Sequence, residues 1–260
     1  MNLRRLVSSR QQARTPKRTG ERLSLVQTLR TMYAMDLGVV GLEPERRARV
    51  ADYWWSRAHG EMTSWVGFGH VLDDLKQERA PTALISLAER AVNDEYQHAL
   101  WCRDWAVRFG HSGGEVRPRS QRRLTFAGAS EQENRLLRIA LCAFTETVGC
   151  VILRLIRPVL REPLLLELNH RHMSDELQHS RVGWGYLATL NDAQKAFLSS
   201  RLPELLRLLA VTCCEGTEQD DEELVPYGYF TPRLLKAAHD EAVRELIFPG
   251  LDHLAIARNP

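Results

Sequence analysis

Residues 94–98 of this chain read Asp-Glu-Tyr-Gln-His, and residues 175–179 read Asp-Glu-Leu-Gln-His. Each copy lies in a stretch whose apolar periodicity predicts a long helix. Within each copy a glutamate and a histidine are three residues apart, so both side chains project from the same helix face. Two such helices that face each other supply half of the ligands of a carboxylate-bridged dimetal site, and two further helices supply one glutamate each.

Two isolated glutamates on other predicted helices can complete that set. Glu146 is the only acidic residue in residues 134–160, where it shares one stripe with apolar side chains, and Glu61 is the only acidic residue in residues 53–72. A carboxylate on an apolar helix face is costly unless it is paired, protonated or bound to a metal. The order Glu, E-x-x-H, Glu, E-x-x-H therefore predicts a dimetal site in residues 50–190.

Three more residues extend the predicted site. His172 precedes Glu176 by about one helical turn, so it adds a nitrogen donor to the face that carries Glu176 and His179. Asp94 and Asp175 adjoin the ligand glutamates and are candidates to accept the free N–H of a ligand histidine and fix its tautomer. The predicted metal ligands are Glu61, Glu95, His98, Glu146, His172, Glu176 and His179.

Each position also has a simpler interpretation. A single histidine on an apolar face is usually a hydrogen-bonded core residue, and Glu146 could instead pair with Arg138 or Arg154. The chain even contains an accidental match, because Glu167 and His170 also fit E-x-x-H but point away from the face of the predicted ligands. The coincidence of four helices, each with one ligand group, favours the metal site.

Two other motifs compete less well. Gly110, Ser112 and Gly114 match the G-x-S-x-G nucleophile elbow of hydrolases, which needs a strand before the serine. The preceding stretch is helical in pattern, so we interpret the motif as a glycine-rich helix exit. The segment Gly67-Phe68-Gly69 lacks the third glycine of a dinucleotide-binding fingerprint, since position 72 is leucine.

The helix signals predict an all-α fold, a four-helix bundle with additional C-terminal helices, and no strand pattern occurs. Proline, glycine and capping-box signals give the helix ends. We expect helices at about 44–76, from Pro81 to Gly110, from Ser130 to about Arg157, and at about 162–190. A fifth helix starts at Asn191 or Asp192 with an interruption near Pro203, and a last one runs from Thr231 to near Phe248-Pro249-Gly250, with an acidic loop at 218–223.

Composition and length indicate how many domains the chain contains and in which cellular compartment it is expected. Residues 1–22 carry seven basic residues and one acidic residue, which we interpret as a disordered arm in preference to a nucleic-acid-binding segment. Residues 23–260 suffice for one helical domain. The five cysteines form no C-x-x-C pair, and no apolar run approaches the roughly 20 residues of a membrane span. We expect a cytoplasmic protein that contacts neither membranes nor nucleic acids.

The ligand set resembles that of the ferritin-like diiron oxygenases. It is most similar to the p-aminobenzoate N-oxygenase type, whose pattern includes the additional histidine, here His172, before the last E-x-x-H. The resemblance covers residues 50–190 and is specific at the ligands only. It implies a ferritin-like bundle, a homodimer, two iron ions with manganese as an option at one position, O₂ as co-substrate, an external electron donor, and oxidation of a small-molecule aryl amine.

Three alternative functions share this fold. A ferritin-like iron-storage protein has the same bundle, but its subunit is shorter and its site contains fewer histidines. A non-catalytic scaffold would keep the bundle without turnover. A radical-generating protein similar to a ribonucleotide reductase small subunit would use a tyrosine near the metals, for which Tyr96 is the candidate inside the motif.

Overall fold

The computed structural model describes residues 42–214 and 221–258. Their regular structure is entirely helical, without a strand, which confirms the predicted all-α class. The basic arm at residues 1–22 lies outside the described residues, as does the predicted domain start at residue 23. The helices are α1 (Pro44–Gln77), α2 (Thr82–Arg108), α3 (Glu131–Ile156), α4 (Pro163–Leu187), α5 (Asp192–Cys214), α6 (Pro232–Ala242) and α7 (Phe248–His253).

The helix ends follow local sequence signals. α3 begins with the predicted capping box, in which the Glu133 N–H donates to Ser130 Oγ and the Ser130 N–H donates to Glu133 Oε2. α2 ends at Arg108, and Gly110 follows its C-cap with a φ of +105°, which is accessible to glycine at little cost. The next amide, that of His111, donates back to the Ala106 carbonyl and closes the helix end.

The first four helices form two hairpins that pack face to face. α1 packs along α2, and α3 packs along α4, while α2 and α4 join the hairpins through the core. α3 and α4 approach closely at Gly183, where an added Cβ would lie 2.5 Å from the Ala143 Cβ. α1 and α3 are less tightly packed, and α5 and α6 cover α3 from outside.

The central position of α3 explains its composition. Among the described helices, the segment Glu131–Val159 is the one long and apolar enough to cross a membrane by length and composition. The expectation that no stretch meets this criterion is therefore wrong for α3. About two-thirds of its apolar window is buried inside the protein, as in the core helix of a globular bundle.

α5 is continuous across Pro203, so the predicted interruption is wrong. Proline removes one backbone hydrogen bond and costs about 3 kcal/mol in a helix interior. Leucines on both sides of the proline are fully or almost fully buried along one stripe, and their packing offsets that cost. These leucines are Leu198, Leu202, Leu205 and Leu209.

Other predicted boundaries also change. The last helical stretch does not end near residues 248–250 but continues to His253, after a π-helical turn at Val243–Ile247. Gly250 stays helical because its bare Cα packs against the Trp184 ring, which an added Cβ would approach to 2.9 Å. α4 ends at Leu187 instead of residue 190.

The predicted acidic loop is partly helical. Residues 218–220 lie outside the described residues, but Glu222–Tyr227 forms a 3₁₀ helix. Ion pairs hold the start of this segment against α1, because Arg49 Nη1 lies 2.8 Å from Asp221 Oδ2 and Arg46 contacts Glu223. A contact distant in sequence therefore orders a run that looks like a solvated loop.

Candidate metal centre

The structure brings all predicted ligand residues together between the four bundle helices. α1 supplies one glutamate, α3 supplies one glutamate, and the two E-x-x-H helices, α2 and α4, supply the remainder. Within each of two groups, one donor atom per residue lies within 4.8 Å of the others. The first group is Glu61, His98 and His172, and the second is Glu95, Glu146, Glu176 and His179.

Glu95 and Glu176 each face both groups. Glu95 Oε1 lies 3.0 Å from His179 Nδ1, and its Oε2 lies 3.6 Å from His98 Nδ1. Glu176 repeats the arrangement, with Oε2 3.3 Å from His179 Nδ1 and Oε1 3.7 Å from His98 Nδ1. Two carboxylates that each direct one oxygen to either group have the orientation of bridging ligands.

The aspartates act across the bundle, each on the histidine of the other motif. His98 Nε2 lies 3.4 Å from Asp175 Oδ2, and His179 Nε2 lies 3.4 Å from Asp94 Oδ2. From Asp94 to His98 the chain advances along α2, while their partners go back along α4 from His179 to Asp175, so α2 and α4 are antiparallel here. With Nε2–H donated to an aspartate, each imidazole keeps Nδ1 for the carboxylate cluster.

His172 uses the opposite ring nitrogen. Its Nε2 lies 2.8 Å from Glu176 Oε1 and 3.9 Å from Glu61 Oε1. Its ring centre is 3.9 Å from that of His98. The additional histidine therefore belongs to the same group as Glu61 and His98, as its position one turn before Glu176 predicts.

Burial and mutual charge shift the pKa values of this cluster. Burial, together with the nearby Glu176 carboxylate, raises the pKa of Glu146 to about 8. Burial alone would lower the pKa of His98, but the negative charges of the nearby Asp175 and Glu95 carboxylates outweigh it and raise the value to about 10. Without a metal, protons therefore balance part of the buried negative charge.

The other two histidines shift in opposite directions. Burial opposes the charged form of His179, but its carboxylate neighbours, with Asp94 foremost, raise its pKa well above the usual range. Burial and the adjacent positive charge of His98 hold the pKa of His172 well below the usual range. His172 is therefore the neutral histidine of the three.

Three atoms of the cluster that could coordinate a metal are buried without a hydrogen-bond partner. They are Glu95 Oε2, His98 Nδ1 and His179 Nδ1. Buried polar atoms normally have a partner. A cation between them would satisfy all three atoms. Two divalent ions would also balance the four ligand carboxylates, and a set of carboxylate oxygens and imidazole nitrogens suits iron or manganese. The residues fit a dimetal site.

Pairing with an arginine, the simpler interpretation of a buried glutamate, fails at Glu146 but holds partly at Glu61. Arg138 pairs with Asp74 at 2.7 Å, and Arg154 pairs with Glu241, so neither predicted arginine neutralises Glu146. Glu61 does have such a partner, since Arg57 Nη2 lies 2.9 Å from its Oε1. Arg57 therefore balances part of the charge of Glu61, which is slightly more exposed than Glu146.

The competing motifs stay outside the cluster. Glu167 and His170 are exposed, and Glu167 pairs with Arg171 at 2.6 Å, so this E-x-x-H is accidental, as interpreted. Ser112 is exposed and follows α2 directly, without the strand that a nucleophile elbow needs.

A cleft of about 420 Å³ opens between α1 and α3 and reaches the predicted ligand residues. Small residues keep it open, including Gly60 on α1 and Gly149 on α3. Arg119 lies at its rim, where the loop after α2 is tied to α1 by a 2.9 Å hydrogen bond from the Arg119 N–H to Thr63 Oγ1. Five of the ligand residues line the cleft: Glu61, Glu95, Glu146, His172 and Glu176.

Sequence reasoning missed the cleft and its rim. Glycine lowers helix propensity, but a Cβ at Gly60 would meet no atom within 4 Å, because the residue faces open space. No local pattern indicates that Arg119, in the loop after α2, reaches α1. The one usable signal was the run of small residues on the ligand-bearing faces of α1 and α3.

No family model, curated protein or solved structure matches the chain. The resemblance to diiron oxygenases therefore depends on the ligand residues and their arrangement.

Proposed function

We propose that this protein is a non-haem diiron oxygenase that uses O₂ to oxidise a small organic substrate. The orientation of Glu95 and Glu176 carries the proposal, because each presents one oxygen to His179 and the other to His98. This is the arrangement that two carboxylates need to bridge a pair of metal ions. Structural ion pairs rarely gather four carboxylates and three histidines in a helical core.

Two bound ferrous ions would supply the electrons that reduce O₂. Asp94 and Asp175 hold the Nε2–H atoms of His179 and His98 and leave the Nδ1 lone pairs for the metals. Glu146 and Glu61 would complete the two groups as terminal ligands. Manganese is a possible occupant of one position, since the same donor types suit it.

The cleft favours an organic substrate over a purely structural metal site. Its volume of about 420 Å³ lies in the range of small-molecule pockets. It reaches the face of the cluster that carries Glu61, Glu146 and His172. By its resemblance to the p-aminobenzoate N-oxygenase type, we expect an aryl amine as substrate, a ferritin-like homodimer, a cytoplasmic location and an external electron donor.

The test is an anaerobic ferrous titration of the metal-free protein, followed by admission of O₂. We expect saturation near two iron ions per chain and O₂ consumption faster than by the same concentration of free ferrous ion. A screen of aryl amines would then identify an oxidised product by mass spectrometry. Failure to bind iron would refute the ligand assignment.

Iron storage predicts a different assembly and a different stoichiometry. A storage protein would form a large hollow oligomer, and it would take up many iron ions per chain after repeated addition of iron and air. Light scattering combined with iron counting separates this alternative from a catalytic dimer. A helical scaffold without turnover would show neither iron oxidation nor product.

A further inference from the structure

The three histidines of the cluster are not held in the same way. His98 and His179 each have an aspartate at Nε2, whereas His172 directs its Nε2 to the carboxylates of Glu176 and Glu61. When Nε2 of a neutral imidazole serves as a ligand, the proton is on Nδ1 and needs an acceptor. An acceptor near His172 Nδ1 would therefore hold the ring with Nε2 toward the carboxylates.

His172 borders a small cavity between α2, α4 and the end of α3. Its volume is about 20 Å³. A space of roughly 10–15 Å³ on this measure holds one water molecule. Most of the lining is apolar, but Arg57, Trp101 and Asn169 also contribute to it, and Arg57 Nη2 is already paired with Glu61 Oε1. The cavity is thus large enough for a single water and too small for an organic ligand.

Two buried polar atoms on the lining residues have no hydrogen-bond partner. These are Trp101 Nε1, a donor, and Asn169 Oδ1, an acceptor. Trp101 is 3% exposed and Asn169 is 5% exposed, so bulk water does not satisfy them. The amide orientation of Asn169 is fixed, because its Nδ2 donates to the Leu153 carbonyl at 3.1 Å. A donor and an acceptor therefore remain unpaired at one cavity.

We propose that this cavity binds one water molecule, which accepts hydrogen bonds from Trp101 Nε1–H and His172 Nδ1–H and donates one to Asn169 Oδ1. Three hydrogen bonds are usual for a buried water. Trp101 and Asn169 are thus positioning residues for His172. The water site follows from the cavity itself, whereas its effect on metal binding rests on the proposed function.

The proposed water makes His172 a different ligand from the other two histidines. A carboxylate partner increases the basicity of a ligand imidazole, whereas a neutral water does so much less. His172 is then the weakest nitrogen donor of the cluster and the one most easily exchanged. It also lines the open cleft, where an exchangeable ligand position is accessible to substrate.

A crystal structure of the metal-free protein at a resolution that shows ordered water tests the site directly. We expect one density peak within 3.2 Å of Trp101 Nε1, Asn169 Oδ1 and His172 Nδ1. An empty cavity, or a His172 ring that hydrogen-bonds directly to Asn169, would overturn the proposal. This result does not depend on metal binding, so it separates the water site from the proposed function.

A pair of tryptophan variants tests the effect on the metals. Trp101→Phe removes one hydrogen bond to the water and keeps an aromatic side chain, and we expect about tenfold weaker binding at the metal position nearest to His172. Trp105→Phe is the matched control, because Trp105 Nε1 is also buried without a partner but Trp105 is not part of this cavity. Cobalt(II) absorption titrations report both affinities.

The comparison of the two variants decides the outcome. A loss confined to Trp101→Phe, with the water missing from its crystal structure, supports the proposal. Equal affinities for the two variants, or equal losses, would refute a positioning role for Trp101. If the unaltered protein bound no metal but contained the water, the proposed function would fail and the water site would stand.

Discussion

At the scale of single residues, Glu146 shows what the core requires. This carboxylate is buried on an apolar helix beside Glu176, and it is stable only with a proton or a cation. Replacing it with glutamine removes the charge and keeps the shape. We expect Glu146→Gln to stabilise the metal-free protein by about 1–3 kcal/mol and to abolish binding of one metal ion.

Urea unfolding in the presence of a chelator measures the first effect, and a metal titration measures the second. Glu167→Gln is the matched control, since Glu167 belongs to the accidental E-x-x-H and is exposed. It should change neither quantity. A metal-free Glu146→Gln protein less stable than the parent would contradict the energetic cost assigned to the buried carboxylate, and unchanged metal binding would contradict its assignment as a ligand.

The crossed aspartates give a second prediction at this scale. Asp175→Asn can place an amide N–H against His98 Nε2, which moves the ring proton to Nδ1, the atom that faces the Glu95 and Glu176 carboxylates. We expect a loss of metal affinity of about 10–100-fold. The exposed Asp73 provides the control, because Asp73→Asn should have no effect.

A double-mutant cycle separates crossed pairing from pairing within one motif. If Asp175 acts through His98, Asp175→Asn should cost little once His98 is replaced by alanine. The same change should keep its full cost in a His179→Ala background. The reverse pattern would show that each aspartate acts on the histidine of its own motif.

At the scale of helices, two glycines have opposite roles. Gly183 allows α4 to approach α3, and an alanine there would place its Cβ 2.5 Å from that of Ala143. We expect Gly183→Ala to cost about 1–3 kcal/mol by overpacking. Gly60→Ala has free space and should stabilise α1 by up to about 1 kcal/mol. Urea unfolding of both metal-free variants checks the contrast.

The cleft between α1 and α3 gives a further prediction for these helices. Gly60 lines the cleft, and a Cβ added there meets no atom within 4 Å, so a leucine at position 60 would project into the cleft. We expect Gly60→Leu to bind two metal ions normally and to raise the KM for an aryl amine about tenfold, since the substrate route is narrowed. Gly69→Leu is the control, because Gly69 has equal space and does not line the cleft.

Local signals explain which helices were predictable. The Ser130 capping box, the Gly110 exit and the start at Pro44 depend on a few adjacent residues, so the sequence alone predicts them. Continuity through Pro203 depends instead on leucine packing against other helices. Single-sequence patterns contain no information about such distant partners.

The same distinction applies to the candidate site. Helical spacing predicted that Glu95 and His98 share a face, and that His172 joins Glu176. It did not predict that Asp175 would lie beside His98 instead of a residue of its own motif, because that pairing depends on how α2 and α4 are aligned. The cleft, the Arg119 rim and the cavity behind His172 also arise only from packing.

At the scale of the whole molecule, the buried charges predict opposite pH dependences with and without metal. In the folded, metal-free protein the pKa of His98 is raised from 6.5 to about 10 and that of Glu146 from 4.5 to about 8. The folded state therefore binds more protons than the unfolded state between these values. Its stability is highest at low pH in this range and falls as pH rises through about 8 and 10.

Metal affinity has the opposite pH dependence, because His98 and His179 must each release a proton before Nδ1 can coordinate a metal ion. We expect metal affinity to increase from pH 6 to pH 9 while the stability of the metal-free protein decreases over the same range. Urea midpoints in chelator and metal titrations at matched pH values measure the two trends. Parallel trends would show that His98 and Glu146 do not bind the ions.

The crossed contacts between Asp94, His98, Asp175 and His179 also fix the register of the bundle. Apolar side chains tolerate sliding, since leucine packs nearly as well against one neighbour as against the next. A shift of α2 along α4 by one helical turn, about 5.4 Å, would separate both aspartate–histidine pairs at once and take the carboxylate partner from both buried imidazole Nε2 atoms. The residues that prepare the site for metal thus also exclude misaligned bundles, even before any ion is bound.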